Sequence, residues 1–351
     1  MTRTYRFASA LAGAVLVVGA TVSAGPVPDR LERFRTLVSD RLSATQILDA
    51  GASEDAYREA YALLDEEIVE SLGSGGVFAS TAFLQDRLDA FSDAWGGAAV
   101  RIVRLGQLTV GVFLLGERAT ANSVRVYGRL RDEPALLSTL AREGRPTLYP
   151  LSPAPGGVVQ FLVAWEGTSS GGGSRPLRLE LARQQAEGVR VLWSTADVYP
   201  DGLVARSYAV RGPELRVRYE LRYPGWVPGC EGQTEQEDVY RLAAATGAYT
   251  RQTQRQYEAW HRDLRASAAR LFAALAGGDR RTVAGLVPDP RVRERLPERL
   301  APEPVCDAAS GAKGENVLVA ASDGHGSPWT LTFHRDAAAR WRVTSASPVI
   351  P

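Results

Sequence analysis

The spacing of the hydrophobic residues changes twice along this chain. Between residues 29 and 94 they recur every three or four positions, as at Leu31 and Phe34, which is the spacing of an amphipathic helix. Glycine-rich segments at 73–76 and 96–97 interrupt this pattern. We therefore predict a helical N-terminal segment made of separate helices joined by short breaks.

Over residues 98–254 the hydrophobic residues alternate with polar ones instead. The clearest strand is predicted at 214–223, where Leu215 and Val217 face one way and Arg216 the other. Such alternation is typical of an antiparallel sheet with one buried and one solvated face. A meander, a sandwich and an open barrel all fit the turn spacing, and no fixed-period repeat indicates a propeller.

A helical pattern returns near residue 255 and ends at the glycines before Asp279, which is placed to cap a shorter helix. Strands are predicted at 317–320 and 329–333, with a third candidate at 341–344. The fold class expected for the whole chain is therefore α+β. Its parts are a helical segment, a central antiparallel β domain and a C-terminal α+β domain, at residues 25–97, 98–254 and 255–351.

The C-terminal third resembles a known superfamily. Residues 269–279 spell Ala-Arg-Leu-Phe-Ala-Ala-Leu-Ala-Gly-Gly-Asp, and residues 283–287 spell Val-Ala-Gly-Leu-Val. A long helix, a Gly-Asp break, a short helix and strands ending in a Trp-rich hairpin resemble the NTF2-like (SnoaL-type) superfamily, which implies a cone-shaped α+β fold. No Tyr/Asp set of an isomerase-type pocket can be matched here, and a fold does not by itself define a function.

The first residues have the pattern of a secretory signal peptide. Arg3 and Arg6 supply positive charge, residues 7–22 contain no charged side chain, and Val22-Ser23-Ala24 offers the small residues of a cleavage site. The alternative is an uncleaved membrane anchor, although the apolar run is short for a spanning helix. We expect residues 1–24 to be removed and a soluble protein, without a later membrane span, to reach the periplasm or the outside.

The two cysteines, Cys230 and Cys306, lie in the part of the chain expected to be exported. In an oxidising compartment an even pair of cysteines is most simply a disulfide. It would join the central domain to the C-terminal one. The alternative is a pair of independent buried thiols.

The charge balance argues against nucleic acid as a partner, because 41 basic residues face 40 acidic ones. No metal site is expected either, since His261, His325 and His334 lack the spacing of metal ligands. The run Gly167-Thr168-Ser169-Ser170-Gly171 matches G-x-S-x-G, but the residues at 172–176 cannot begin the helix that a nucleophile elbow requires. We interpret this run as a hairpin loop.

The candidate ligand-binding residues are Tyr223 and Trp226, in a segment rich in proline and glycine. Exposed aromatic rings bind sugars and apolar ligands, although a tryptophan in such a place can also simply close the end of a sheet. The sequence shows no nucleophile–base pair and no cofactor motif. We therefore expect a binding or accessory module, with a protein or a small molecule as its partner, that works without catalysis and without a cofactor.

Two alternative functions remain open at this point. A hydrolase would use carboxylates that only folding brings together, with Glu235, Glu237 and Asp238 as candidates. A carrier would hold a small apolar ligand in a cavity of the C-terminal domain. Such a cavity would lie under three aromatic residues, namely Trp260, Phe272 and Trp329.

Overall fold

The structure is a computed structural model, and it describes residues 29–41, 50–96, 98–116, 121–170, 172–243, 246–310 and 315–349. The expected signal peptide, residues 1–24, lies outside the described residues. Among the helices of these ranges, none has both the length and the apolar character needed to cross a membrane.

Among the described residues, three α-helices precede the first strand, and the others follow later in the chain. Ser80 caps the third helix by accepting a hydrogen bond from the backbone N–H of Phe83. Asp279 caps the sixth helix, as predicted, by accepting from the backbone N–H groups of Arg281 and Thr282. The bounds are α1 (Arg30–Arg41), α2 (Ala50–Ser74), α3 (Thr81–Trp95), α4 (Thr195–Val198), α5 (Ala259–Ala276), α6 (Arg280–Leu286) and α7 (Pro290–Arg293).

The central strands form three successive antiparallel meanders of four strands each. The first is β1 (Ala99–Leu105), β2 (Leu108–Leu114), β3 (Asn122–Leu130) and β4 (Glu133–Leu140). The second is β5 (Arg145–Pro150), β6 (Gln160–Glu166), β7 (Arg175–Gln185) and β8 (Gly188–Ser194). The third is β9 (Val204–Arg211), β10 (Glu214–Glu220), β11 (Glu235–Ala243) and β12 (Ala248–Tyr257).

The second and third meanders share one sheet, whereas the first forms a sheet of its own. The junction is a short pairing of β7 with β9, in which Arg175 lies opposite Ala205 and Pro176 opposite Val204. The shared sheet has the strand order β12-β11-β10-β9-β7-β6-β5, with β8 paired to the other part of β7. The starts of β7 and β9 therefore lie side by side.

The helices and sheets of the N-terminal and central parts are stacked in layers. Helices α1–α3 cover one face of the first sheet, where Phe91 and Phe113 belong to one core. The opposite face of that sheet packs on β6 through residues such as Val126 and Val163. The other face of β6 packs, through residues such as Leu162, on the third meander.

Strand β6 departs from the expected alternation of buried and solvated positions. Its residues Gln160–Trp165 are all buried, whereas β10 keeps the alternation, with Leu215 and Val217 buried and Arg216 exposed. The reason is that β6 lies between the first sheet and the third meander, so that both of its faces are covered. A strand covered on both sides has no need of polar positions.

The C-terminal part packs helices on one more antiparallel sheet. Its strands are β13 (Leu300–Pro302), β14 (Ala308–Ser310), β15 (Asn316–Asp323), β16 (Pro328–Arg335) and β17 (Trp341–Pro348). The order is β13-β15-β16-β17, and β14 also pairs with β15. Leu271 and Phe272 of α5 share a core with Phe333 and Trp341 of the sheet. Helices combined with antiparallel sheets confirm the predicted α+β class.

Candidate ligand-binding cleft

A cleft of about 1070 Å³ opens at one end of the central sheets. Its walls come from the connection between β4 and β5, the hairpin between β6 and β7, the loop before β9 and the segment after β10. Connections of all three meanders therefore contribute to one cavity. Loops held by a rigid sheet are a common location for binding residues.

Arginine dominates the charged side chains that line this cleft. Guanidinium groups carry a permanent positive charge and present several N–H donors in one plane. Opposing carboxylates are fewer, so that the lining is net positive. The arginines are Arg142, Arg145, Arg175, Arg178 and Arg222, and the acids are Glu143 and Glu166.

Two of these arginines share one buried carboxylate. Glu180, on β7, has no solvent exposure, and its Oε1 accepts hydrogen bonds from Arg142 Nε at 2.9 Å and from Arg178 Nε at 2.8 Å. Its Oε2 accepts no hydrogen bond from the described residues. One negative charge thus holds two positive ones side by side at the cleft.

Glu166, at the end of β6, is also matched by neighbours. It accepts a hydrogen bond from Arg175 Nη1 at 2.6 Å and another from the hydroxyl of Tyr208 at 2.5 Å. Burial, followed by the hydrogen bond to Glu166, raises the pKa of Tyr208 above its ordinary value. Tyr208 therefore stays a neutral donor, and Glu166 accepts from two donors.

Trp165 and Gly144 shape the wall beside these charges. Trp165 is 1% exposed, and its indole Nε1 donates to no acceptor in the described part of the chain. Gly144 has a φ of +100°, and a Cβ there would lie 2.7 Å from the carbonyl oxygen of Glu166. Only glycine allows the connection between β4 and β5 to pass so close to β6.

The structure places the two predicted binding residues in different surroundings. Trp226 is partly exposed, and the guanidinium carbon of Arg222, a lining residue of the cleft, lies 5.5 Å from its ring centroid. The hydroxyl of Tyr223 lies 2.5 Å from His261 Nδ1 and accepts a hydrogen bond from the Thr234 backbone N–H at 3.2 Å. Trp226 therefore stands beside the cleft, whereas Tyr223 belongs to a polar network.

This network joins the central meanders to α5. His261 Nε2 lies 3.0 Å from Asp307 Oδ2, and Arg265 Nε lies 2.7 Å from the same oxygen. The three side chains are at most 5% exposed. None of these side chains lines the cleft, and their arrangement serves to fix α5 against the third meander.

The predicted disulfide between Cys230 and Cys306 is present, with 5.3 Å between the two Cα atoms. Cys230 lies in the connection between β10 and β11, and Cys306 directly precedes Asp307. The covalent link and the buried network therefore join the same two parts of the chain.

The candidate carboxylates of a hydrolase are not brought to one pocket as a set of three. Successive side chains of a strand point to opposite faces, and Glu235 and Glu237 therefore lie on one face of β11 and Asp238 on the other. Glu235 is paired with Arg206 at 3.0 Å and also with Arg218.

Asp238 has no solvent exposure and accepts hydrogen bonds from several side chains. Its Oδ2 accepts from the hydroxyl groups of Tyr199 at 2.9 Å, Tyr219 at 3.2 Å and Tyr240 at 3.3 Å, and from Arg251 at 3.3 Å. Burial is the main cause that raises the pKa of each of these tyrosines. The cluster therefore consists of three neutral tyrosine hydroxyls and one charged arginine around one carboxylate.

The remaining candidates also have definite positions. In the described ranges, no three His, Cys, Asp or Glu side chains are grouped as a metal site would require. His334 contacts Asn316, and His325 lies in the hairpin between β15 and β16, far along the chain from His261. Ser169 lies in a hairpin that leads into strand β7 and not into a helix, as expected; Gly171 lies outside the described residues.

The aromatic residues of the supposed apolar cavity are packed against other groups. Phe272 is 6% exposed within the C-terminal core. Trp260 lies with its ring centroid 6.0 Å from that of Trp341, and Trp329 donates to Asp323 at 3.4 Å.

Sequence comparisons identify no relative, because no family model and no curated protein matches the chain. Among solved structures, a periplasmic gluconolactonase of Pseudomonas aeruginosa is similar at 14% identity and a TM-score of 0.26, over 73% of this chain and 57% of that one. An α-L-arabinofuranosidase of Fusarium graminearum, in complex with an iminosugar inhibitor, is similar at 7% identity and a TM-score of 0.24, over 72% of this chain and 66% of that one. Likeness at these scores carries no argument about fold or function.

Proposed function

We propose that this chain is an exported binding protein without catalytic chemistry of its own, and that the cleft at the end of the central sheets is its ligand-binding site. The observation that carries this proposal is a cavity of about 1070 Å³ whose positive side chains outnumber its acids. This volume is at the upper end of what small-molecule sites occupy. Its walls are connections anchored on two packed sheets.

Binding is favoured over hydrolysis by the state of the carboxylates. A carboxylate-based hydrolase needs two such groups facing one substrate, with at least one of them able to give or take a proton. In the cleft, Glu166 is held by Arg175 and Tyr208, and Glu180 is buried under Arg142 and Arg178. Both carboxylates hold the arginine and tyrosine side chains around them in position, and a binding site requires such fixed donors.

Export is supported by the N-terminal pattern and by the disulfide. Disulfides persist in the periplasm and outside the cell, and are rare in the cytosol. The expected mature protein begins at Gly25, so that its mass, measured after recovery from the periplasm or the medium, should correspond to loss of residues 1–24. Recovery with Thr2 or Met1 still at the N-terminus would contradict export by cleavage.

We also propose that residues 255–351 form an NTF2-like domain that acts as a packing module. Support comes from the long α5, the Gly-Asp break and the short α6, which pack on antiparallel strands. Phe272, Phe333 and Trp341 fill positions of its core, which favours packing over carriage of an apolar ligand.

A thermal-shift experiment tests the binding proposal. Monosaccharides, organic acids, amino acids and sugar phosphates are added to the wild type and to a Thr168→Trp variant. Thr168 is an exposed lining residue, and a tryptophan there adds bulk at the mouth of the cleft. A ligand present at about 100 times its Kd should stabilise the protein by roughly 2.7 kcal/mol.

The matched control is Thr253→Trp, on the exposed surface of the outermost strand β12. We expect at least one compound to raise the Tm of the wild type and of Thr253→Trp, and to have little effect on Thr168→Trp. Mass spectrometry should recover that compound unchanged. The proposal is wrong if no compound raises the Tm, if Thr168→Trp responds like the wild type, or if the compound is hydrolysed.

A further inference from the structure

We infer that the ligand of the cleft is a small molecule with a carboxylate or phosphate group, and that Arg142 and Arg178 bind this group. The inference rests on the proposed function above and specifies its ligand class. Carboxylate and phosphate oxygens share the geometry that guanidinium groups recognise, with two parallel N–H donors meeting two acceptors.

Each of these two arginines keeps N–H groups that have no acceptor among the described residues. Arg142 uses its Nε for Glu180 and its Nη1 for the carbonyl of Ala141, and Arg178 uses its Nε and Nη2 for Glu180. Within the described part of the chain, Nη2 of Arg142 and Nη1 of Arg178 make no hydrogen bond. The side chain of Arg142 is 33% exposed and that of Arg178 is 41% exposed, so that the position of both at the cleft is restrained.

The charge of the cleft lining also favours an anionic ligand. Five arginines face the two lining acids, and counting the buried Glu180 beneath them still leaves a positive balance. In a concave site with low-dielectric walls, such a balance concentrates anions from solution. Arg222 has no carboxylate partner among the described residues, and a neutral ligand would leave its charge without one.

The wall of the cleft also contains a buried hydrogen-bond donor. The indole N–H of Trp165 has no acceptor among the described residues, and a buried unsatisfied donor costs free energy. An oxygen of the ligand would supply the acceptor. An anionic group is rich in such oxygens, whereas an apolar ligand has none.

The test is isothermal titration calorimetry of the full mature chain with citrate, glucose 6-phosphate and glucose. Citrate probes the carboxylate source, glucose 6-phosphate the phosphate source, and glucose is the neutral reference. We expect at least one anion to bind and glucose to bind at least tenfold more weakly. Raising the salt from about 20 mM to about 300 mM should weaken the anion, because a shorter Debye length screens partly exposed charges.

Variants locate the contact. Arg178→Gln should weaken the bound anion at least tenfold, whereas Arg190→Gln, the same change at an exposed position of β8 outside the cleft lining, should leave Kd unchanged. A second variant, Arg222→Gln, leaves the partners of every buried carboxylate in place. Arg222 contacts the ring of Trp226 and the carbonyl of Asp201. This variant should weaken binding several-fold with an unchanged Tm.

The outcomes separate this inference from the proposed function. If glucose or another neutral compound binds as tightly as the anions and Thr168→Trp abolishes that binding, the cleft is a binding site and the inferred ligand class is wrong. If an anion binds but both arginine variants match Arg190→Gln, the inferred contact is wrong. If nothing binds at millimolar concentration, the proposed function fails together with the inference.

Discussion

Tyr249 differs at the residue scale from the tyrosines around Asp238. Its side chain is 4% exposed and packs on Trp193, with 5.0 Å between the ring centroids, but its hydroxyl makes no hydrogen bond within the described chain. Burial alone raises the pKa of Tyr249 to about 12. The folded protein therefore keeps this proton at a pH where the unfolded chain has lost it.

We predict that Tyr249→Phe protects the protein at high pH. The contribution of Tyr249 is constant below the ordinary tyrosine pKa of about 10 and is lost as the pH rises from there toward 12. The free energy of unfolding, measured with urea at pH 7 and pH 11, should fall by about 1 kcal/mol less in Tyr249→Phe than in the wild type. An equal fall in both proteins would show that this hydroxyl does not titrate as described.

Glu180 and Asp238 are both carboxylates that folding buries completely. Each lies on a central strand, and each accepts hydrogen bonds both from its own strand and from other elements. Sequence reasoning singled out Asp238 for its acidic neighbours and passed over Glu180. In an alternating strand, nothing local distinguishes a glutamate on a solvated face from one that folding covers with two arginines.

At the element scale, the connection between β4 and β5 sets the position of the cleft wall. Gly144 makes the connection turn against β6, with a φ that other residues rarely adopt and with no space for a Cβ. Arg142 and Arg145 flank it and line the cleft.

We predict that Gly144→Ala lowers the free energy of unfolding by at least 2 kcal/mol. The alanine Cβ would clash with the Glu166 backbone, and this clash adds to the cost of a positive φ. Gly156→Ala is the control, since Gly156 has a φ of +79° but no atom within 4 Å of its added Cβ. It should cost about 1 kcal/mol. Urea unfolding of both variants checks the difference, and equal costs would rule out the close approach.

The pairing of α5 with the segment before β14 is a second feature at this scale. Arg265 and Asp307 form a buried ion pair, and Gly225 of the third meander approaches the Arg265 side chain with a φ of +86°. Burying two charges costs free energy of desolvation, which their attraction offsets. Removing one partner leaves the other charge buried without compensation, and this destabilises the fold more than removing both.

We predict that Asp307→Leu destabilises the protein by about 3–5 kcal/mol, because it leaves Arg265 charged and unpaired in the interior. The double variant Arg265→Met with Asp307→Leu should be less destabilised than the single one. Chemical denaturation of wild type, single and double variants measures this. A double variant that is less stable than Asp307→Leu would contradict the account of the buried pair.

At the scale of the whole molecule, local patterns predicted more of the fold than of the site. Helical spacing, strand alternation and the cysteine pair indicated the α+β class and the disulfide, because each depends on nearby residues or on a single pairing. The double burial of β6 and the side-by-side starts of β7 and β9 depend on how the meanders stack. No periodicity contains that information.

The same reason explains why the sequence does not predict the cleft. Its arginines are spread from Arg142 to Arg222, and each stands in a stretch where a charged residue is ordinary. Only the stacking of three meanders brings them together. Trp226 was noticed because proline and glycine surround it, and its contact with Arg222 places it beside the cleft.

The central claim is that the cleft beside Trp165 binds an anionic ligand, and nuclear magnetic resonance tests it most directly. The seven tryptophans give separate indole N–H signals in a ¹⁵N-labelled sample, and Trp165→Phe assigns the relevant one. On titration with citrate or glucose 6-phosphate, we predict that the Trp165 signal moves in the wild type and moves much less in Arg178→Gln. A Trp165 signal that stays in place at millimolar concentrations of both compounds, or that moves equally in Arg178→Gln, would contradict the account.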